Sequence, residues 1–449
     1  MSIPALGGWV TATVNQRYGE LAARSAGLTP GERLRHIGDL VAEQARWVDR
    51  ECLNLNAATN VMNPYASELL ASGIGSRPSL GLPGDKYETG LAPGEELEVL
   101  ASELARRVFR CAYAETRMLS GAMANLAVYM ATTRPGDIIF SLPPAAGGHA
   151  THQPFAAPGL YGLAVRPIPL LTDEATATWR VDLVALAAAV EAARPTLIVL
   201  GGSLALASYP IREVAEIAHA AGARLLFDAA HLSLLVAGEA FQQPLSEGAD
   251  VISGSTYKAL GGPPGGLILT DDDALAARLD TIAYPGLTAN NDLGRVAALA
   301  IALNDLLVYG HDYAARCVEM AQALATALAA EGFALAGQPP HYTVTHHVAV
   351  DGRRWQGGTS AARLLEPANI LATGIGLPLP EIAGDQNGLR FGSQELVRWG
   401  MRPADAPGVA RLIARVLLHD EPAATLRAEV IALRARFQQL QYILTTDGE

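Results

Sequence analysis

Aromatic residues make up only 6% of this 449-residue chain, and charged residues only 17%. Cysteine occurs three times, at Cys52, Cys111 and Cys317, in no spacing that a metal site uses, so no metal centre is expected and the setting reads as reducing and cytoplasmic. Basic residues are outnumbered: 33 Lys and Arg against 45 Asp and Glu leave a formal net charge of -12. Nucleic acid and anionic membrane surfaces reward clustered positive charge, so neither is an expected partner. Apolar runs are broken within about a dozen residues, short of a bilayer's span. The residues after Met1, SIPALGGWVT, have no basic region leading into an apolar run, so no cleaved signal is expected. What the chain does have is apolar content, 50% hydrophobic, with 44 Gly and 27 Pro dispersed along it. That is ample for a packed core and excludes disorder, and the length points to two or three domains.

Thr29-Pro30-Gly31-Glu32 starts a helix that continues through Leu40, Val41 and Trp47, so residues 1–50 read as an N-terminal helical arm. Residues 52–93 lose periodicity and read as a long loop. From about 95 to 270, helices alternate with short apolar strands: IIFSL, TLIVLGG, RLLFD, VISGST and GGLILT. This alternation implies a mainly parallel sheet covered on both faces. Residues 292–330 read as one long helix or a helix pair. A smaller α/β segment follows, containing HHVAVDG and GLRFGS, with helix from about 403.

Asp228 closes the apolar strand RLLFD, which places it at the carboxyl edge of the sheet, where open α/β folds bind ligands. His231 follows three residues later, and Lys258 lies in the small-residue surround SGSTYK-ALGGPPGG. A buried-edge acid and a Gly-flanked lysine point to pyridoxal 5'-phosphate (PLP) chemistry. The lysine amine is the Schiff-base former, and the acid keeps the pyridinium nitrogen protonated. The turn Ser120-Gly121-Ala122 opens a helix and provides the backbone amides that a phosphate needs, with Ser255 and Thr256 as further donors. His346-His347 reads as structural rather than as a metal pair.

With those residues in view, the chain resembles the serine hydroxymethyltransferase family, and more broadly the aldolase-type fold-type-I PLP enzymes, from about residue 50 to 415. Ser120-Gly121 resembles the family's phosphate turn, with Ala122 in place of a second serine. Gly147-Gly148-His149-Ala150-Thr151-His152 resembles its Gly-Gly-His-x-Thr-His, which implies that His149 stacks on the pyridine ring. Ser203 corresponds to the serine that contacts the cofactor's phenolic oxygen. Asp228, His231 and Lys258 match the family's Asp-x-x-His and Schiff-base lysine. Arg390, in Gly388-Leu389-Arg390-Phe391-Gly392, resembles the arginine that clamps the substrate carboxylate. The implied fold is α/β, the fold-type-I PLP-dependent transferase: a mainly parallel seven-stranded sheet between helices, a smaller C-terminal α/β domain and the N-terminal arm. The expected bounds are 1–50, 51–300 and 301–449, and the expected assembly is a homodimer or homotetramer.

The departures lie on the substrate side. Leu80 occupies the position of a glutamate that exchanges a proton between substrate hydroxyl and folate. The family's tyrosine pair becomes Tyr87-Glu88, and Ala58 in Ala57-Ala58-Thr59-Asn60 replaces a serine. Tyr257 replaces a histidine, and Pro264 an arginine. Tyr87 and Glu88 are therefore candidate catalytic groups, Glu88 being read either as a replacement acid/base or as a plain surface carboxylate. Tyr257 and Asn60 join Arg390 as candidate substrate contacts. The expected reaction is PLP-dependent aldol cleavage of a β-hydroxy-α-amino acid (serine, threonine or an α-methylserine-like compound) to glycine or alanine plus an aldehyde. Tetrahydrofolate as acceptor stays open. So do transaldolase, β-elimination and aminotransfer chemistry, and a non-enzymatic regulator built on the same fold.

Overall fold

Thr29 and Glu32 close a reciprocal capping box: the Thr29 hydroxyl accepts from the Glu32 amide at 3.4 Å, and the Glu32 carboxylate accepts from the Thr29 amide at 2.8 Å. With Pro30 at the first helical position this sets the start of α2 (Pro30–Arg46), which follows α1 (Ala12–Ser25) with its Thr11 cap. The computed structural model describes residues 6–446. It divides into two units, Met1–Cys52 and Leu53–Glu449; α1 and α2 make up most of the first.

The second unit is built on seven strands: β1 (Tyr113–Glu115), β2 (Ile138–Ser141), β3 (Ala164–Pro167), β4 (Leu197–Gly201), β5 (Arg224–Asp228), β6 (Val251–Ser255) and β7 (Gly266–Thr270). Their order across the sheet is β1-β7-β6-β5-β4-β2-β3. Strands β3, β2, β4, β5 and β6 pair in parallel, while β7 is antiparallel to both of its neighbours. The reversal has a simple cause. The link at 256–265 is too short for the crossover that a parallel neighbour requires. That same link carries Lys258. Strands β4, β6 and β7 are buried at every position, and β4, Leu-Ile-Val-Leu-Gly, accordingly reads as a continuous apolar run rather than as alternation.

Two helices frame the active edge. α3 (Ala92–Phe109) packs against the long α5 (Leu293–Ala330), and α4 (Gly121–Thr132) packs on β6 and β7. α5 is one continuous helix of 38 residues, which resolves the alternative of a helix pair, and it runs across the expected domain division at 300. It is the one helix among the described residues long and apolar enough to cross a bilayer, yet 72% of its apolar window is buried inside the protein. Val296, Leu299, Leu303 and Leu324 have no exposure. Its apolarity is that of a core helix. Beyond it, β8 (His347–Asp351), β9 (Thr373–Ile375) and β10 (Gly388–Gly392) form a three-stranded antiparallel sheet in the order β8-β10-β9.

Residues 52–93 contain more structure than a loop. Pro64–Leu70 is a short helix, started by Asn63, whose side chain accepts from the Tyr65 amide at 3.0 Å. Gly81–Leu82 and Asp85–Lys86 form a hairpin. An Asn-Pro start is a helix signal in its own right, but seven residues are too few to show periodicity.

Candidate active site

Asp228 is the last residue of β5, Ser255 is the last of β6, and Lys258 stands in the link that follows; they are 1%, 3% and 5% exposed. The parallel direction of β5 and β6 brings all three to the carboxyl edge of the sheet.

Asp228 is fully engaged. Its Oδ2 accepts from His152 Nε2 at 2.6 Å and from Asn125 Nδ2 at 3.3 Å, and its Oδ1 accepts from the Ala230 amide at 2.8 Å. Burial opposes the charge, but the His152 hydrogen bond, with the neighbouring Lys258 ammonium, holds the carboxyl well below the usual aspartate range. The other ring nitrogen of His152, Nδ1, is hydrogen-bonded to the Tyr129 hydroxyl. The tautomer that satisfies both partners donates from Nε2 to Asp228. Asp228 is thus a permanent anion, suited to face a protonated pyridine nitrogen.

His149 is partly exposed above this edge. Its Nδ1 accepts from the Thr151 amide at 3.2 Å, so in the neutral ring the hydrogen sits on Nε2. Burial lowers its pKa to about 4, with Asp228 acting against the shift, and a neutral flat ring is the form that stacks on an aromatic cofactor. Burial likewise brings Lys258 down to about 8, with Asp228 raising it and Arg390 lowering it. A lysine that sheds its proton near neutral pH is a nucleophilic amine.

The turn at Ser120-Gly121-Ala122 is a capped, close-packed helix start. Ser120 caps α4 by accepting from the Met123 amide at 3.1 Å, and its carbonyl accepts from Ala124. The first two amides, of Gly121 and Ala122, are left without an intrahelical acceptor. A Cβ on Gly121 would stand 2.5 Å from Ser255 Oγ, so only glycine lets the helix start this close to β6. An anionic group finds free amides and a hydroxyl here. Together with Asp228, neutral His149 and Lys258, the site fits pyridoxal phosphate at each of its functional ends.

Arg390 enters from β10 and is 5% exposed. Its Nη1 donates to the Ser203 carbonyl, and its Nε and Nη2 donate to Thr373 Oγ1 at 3.3 and 3.1 Å. These partners are all neutral. Burial lowers its pKa to about 10, and the guanidinium stays charged with no carboxylate among its hydrogen-bond partners. Such a guanidinium could receive a carboxylate brought by a ligand. Ser203 is held by its amide, which donates to the Gly147 carbonyl at 2.7 Å.

The remaining candidates stand differently. His231 is 2% exposed and its Nδ1 donates to the Ala57 carbonyl at 3.2 Å; it packs against His347, ring centroids 5.3 Å apart. Its nitrogen and those of His346 and His347 lie within 4.8 Å of one another. His347 Nδ1, however, accepts from the Ala205 amide, which puts the proton of the neutral ring on Nε2, a donor rather than a metal ligand. Asn60 spends its amide inside the protein, on the Ala259 carbonyl at 3.0 Å and the Tyr313 hydroxyl at 2.9 Å. It anchors the segment beside Lys258. Tyr257 is half-buried, its ring centroid 6.0 Å from Lys258 Nζ. Tyr87 is 81% exposed, and Glu88 accepts from the Leu80 amide at 3.1 Å. No hydrogen bond among the described residues links either to Lys258, Asp228 or Arg390. Sequence reading missed the roles of His152, Tyr129, Asn125 and Thr373. His152 was within reach, as the last residue of the Gly-Gly-His-x-Thr-His pattern.

The family model for serine hydroxymethyltransferase matches residues 36–413. The chain belongs to the serine hydroxymethyltransferase family. Among curated relatives, an alpha-methylserine aldolase of Variovorax paradoxus is 50% identical over 436 residues, 97% of this chain and 98% of the relative. One of a Ralstonia species is 47% identical over 435 residues, again 97% and 98%. A serine hydroxymethyltransferase of Staphylothermus marinus is 34% identical over 418 residues, 93% and 94%. As a member of the serine hydroxymethyltransferase family the protein is a PLP-dependent enzyme of aldol-type cleavage, and its fold is the fold-type-I PLP architecture.

Proposed function

We propose that this enzyme cleaves an α-methyl-β-hydroxy-α-amino acid, α-methylserine being the simplest, to alanine and formaldehyde without tetrahydrofolate. The observation that carries the reading is Leu80. It occupies the position where the family pattern has a proton-exchanging glutamate, and the carboxylate of Glu88 on the same loop is engaged by the Leu80 amide. Without a carboxylate there, transfer to folate loses its proton carrier, whereas release of free formaldehyde needs none. The names of the relatives near half identity, alpha-methylserine aldolases, support the same reading.

When bound, pyridoxal phosphate supplies the electron sink for the Cα–Cβ bond being broken. Arg390 binds the substrate carboxylate and sets which bond stands across the ring. Asp228, fixed by His152 and Asn125, holds a proton on the ring nitrogen. His149 covers the ring face and excludes water. Lys258 Nζ, with a pKa of about 8, is basic enough to take the β-hydroxyl proton near neutral pH. That proton loss turns the Cβ–OH into the aldehyde carbonyl, the electron pair of the Cα–Cβ bond goes to Cα, and Lys258 Nζ returns the proton to Cα. Atoms balance as alanine plus formaldehyde.

A cytoplasmic homodimer or homotetramer belongs to this reading. In support, α2 carries Leu34, Ile37, Leu40 and Val41, each exposed by half or more, an apolar stripe suited to subunit packing. The test is product analysis with α-methylserine, serine and threonine, each with and without tetrahydrofolate. Alanine and formaldehyde should form from α-methylserine at a rate indifferent to folate. A strict folate requirement would overturn the proposal.

A further inference from the structure

Arg295 lies in the first turn of α5, yet it is 4% exposed. Its Nη2 donates to the Thr116 carbonyl at 2.8 Å, while Nε and Nη1 are buried with no acceptor. Asp292 and Glu115 act on it only through space, and burial lowers its pKa. Asp292 is occupied as the helix cap, and Glu115 with Arg117. A buried guanidinium with two idle nitrogens and no bonded carboxylate is costly, so it marks a place where an anion is expected.

The surroundings identify the place. A Cβ on Gly265 would lie 2.8 Å from Arg295 Nη1 and 2.9 Å from Thr256 Oγ1. Thr256 follows Ser255, whose Oγ would stand 2.5 Å from a Cβ on Gly121. Arg295 therefore joins the phosphate turn through contiguous contacts: Gly265, Thr256, Ser255, Gly121. Next to Gly265 is Pro264, where the family pattern has an arginine, and in the turn itself Ala122 replaces a serine. A hydroxyl has been lost from the turn. The guanidinium of Arg295 arrives at the same corner from a different element.

We propose that Arg295 is the charge partner of the cofactor's phosphate, standing behind the Ser120–Ala122 and Ser255–Thr256 cradle. The inference rests on the assignment of this site to pyridoxal phosphate. A full guanidinium offers Nε and Nη1 to an anion while Nη2 stays on Thr116, a division of labour that lysine cannot reproduce.

The test is titration of cofactor-stripped protein with pyridoxal phosphate and, separately, with pyridoxal, which lacks the phosphate, following the visible absorption band and quenching of intrinsic fluorescence. Arg295→Met should weaken pyridoxal phosphate binding by about tenfold or more, the worth of a charge-assisted hydrogen bond, and leave pyridoxal binding unchanged. Arg295→Lys should retain part of the affinity. Gly265→Ala keeps every charge but crowds the guanidinium, and should shift binding in the same direction as Arg295→Met. Wild-type affinity for pyridoxal phosphate in Arg295→Met, or an equal loss for both ligands, would overturn the proposal. If Arg295→Met does not fold, unchanged affinity in both Arg295→Lys and Gly265→Ala overturns it. A wild type that develops no band with pyridoxal phosphate would instead overturn the assignment of the site, a separate failure.

Discussion

His152 Nε2 lies 2.6 Å from Asp228 Oδ2, and both side chains are almost wholly buried, at 2% and 1% side-chain exposure. The Tyr129 hydroxyl holds the other nitrogen of the same ring. Asp228 therefore keeps its charge because a histidine, itself held from behind, points a hydrogen at it.

Replacing His152 by Leu removes that donor and leaves Asn125 and the Ala230 amide. We expect kcat to fall about tenfold or more, the scale of one buried charge-assisted hydrogen bond, with KM little changed, because the substrate carboxylate is held elsewhere. The pH dependence follows from the sign of the shift. Asp228 has a native pKa depressed below its ordinary 3.8. It therefore contributes stability that is complete above that value and is lost as pH falls through the depressed native one. In His152→Leu the loss should begin at higher pH, readable as a midpoint shift in thermal melts between about pH 3 and pH 6.

Lys258 titrates in the opposite sense. Its native pKa of about 8 lies below the ordinary 10.5, so the native cofactor-free protein sheds a proton that the unfolded chain keeps. Stability of that form should rise with pH between those two values. The initial rate at which pyridoxal phosphate develops its visible band should climb through pH 7 and level off above about 8. Lys258→Ala should give no band at any pH; a band in that variant would refute Lys258 as the attachment point.

Arg390→Lys is not a conservative change here. Lysine cannot hold the Ser203 carbonyl, Thr373 and a ligand carboxylate together. KM for the amino acid should rise by about 10–100-fold, while the cofactor's visible band stays at its wild-type position. Loss of the band together with affinity would show a structural role instead.

The loop bearing Leu80 and Glu88 is pinned by a buried ion pair. Lys86 Nζ lies 2.5 Å from Glu98 Oε2, with side-chain exposures of 3% and 12%. Glu98 Oε1 also accepts from Ser79 Oγ at 2.8 Å and from Asn291 Nδ2 at 2.9 Å. Lys86→Met should cost about 3–5 kcal/mol, because it leaves a buried carboxylate without its counter-ion. The double variant Lys86→Met/Glu98→Met should recover much of that in denaturant unfolding. A single variant as stable as wild type would show that the pair is solvated.

Much of this protein is written locally. The sheet was legible because its central strands are buried on both faces and so read as short, mostly apolar runs, β4 above all. The positions of Asp228, Lys258 and the Ser120-Gly121 turn were legible because a strand end, a Gly-rich link and a helix start are short-range features. The Leu80 departure needed only the loop's own residues. The helix at Pro64–Leu70 was missed because seven residues carry a cap signal but no period.

The rest was decided by tertiary structure. His152 meets Asp228 across 76 positions, and Arg390 meets Ser203 across 187. No local pattern encodes such pairings. The sequence by itself determined which groups are the candidates for the chemistry: an acid at a strand end, a lysine among small residues, and a leucine where the family pattern has a glutamate. Only the fold decided their electrical state. Burial made Lys258 a base near neutrality and left Arg390 and Arg295 without bonded anions, since desolvation and hydrogen-bond partners exist only once the chain has closed around them.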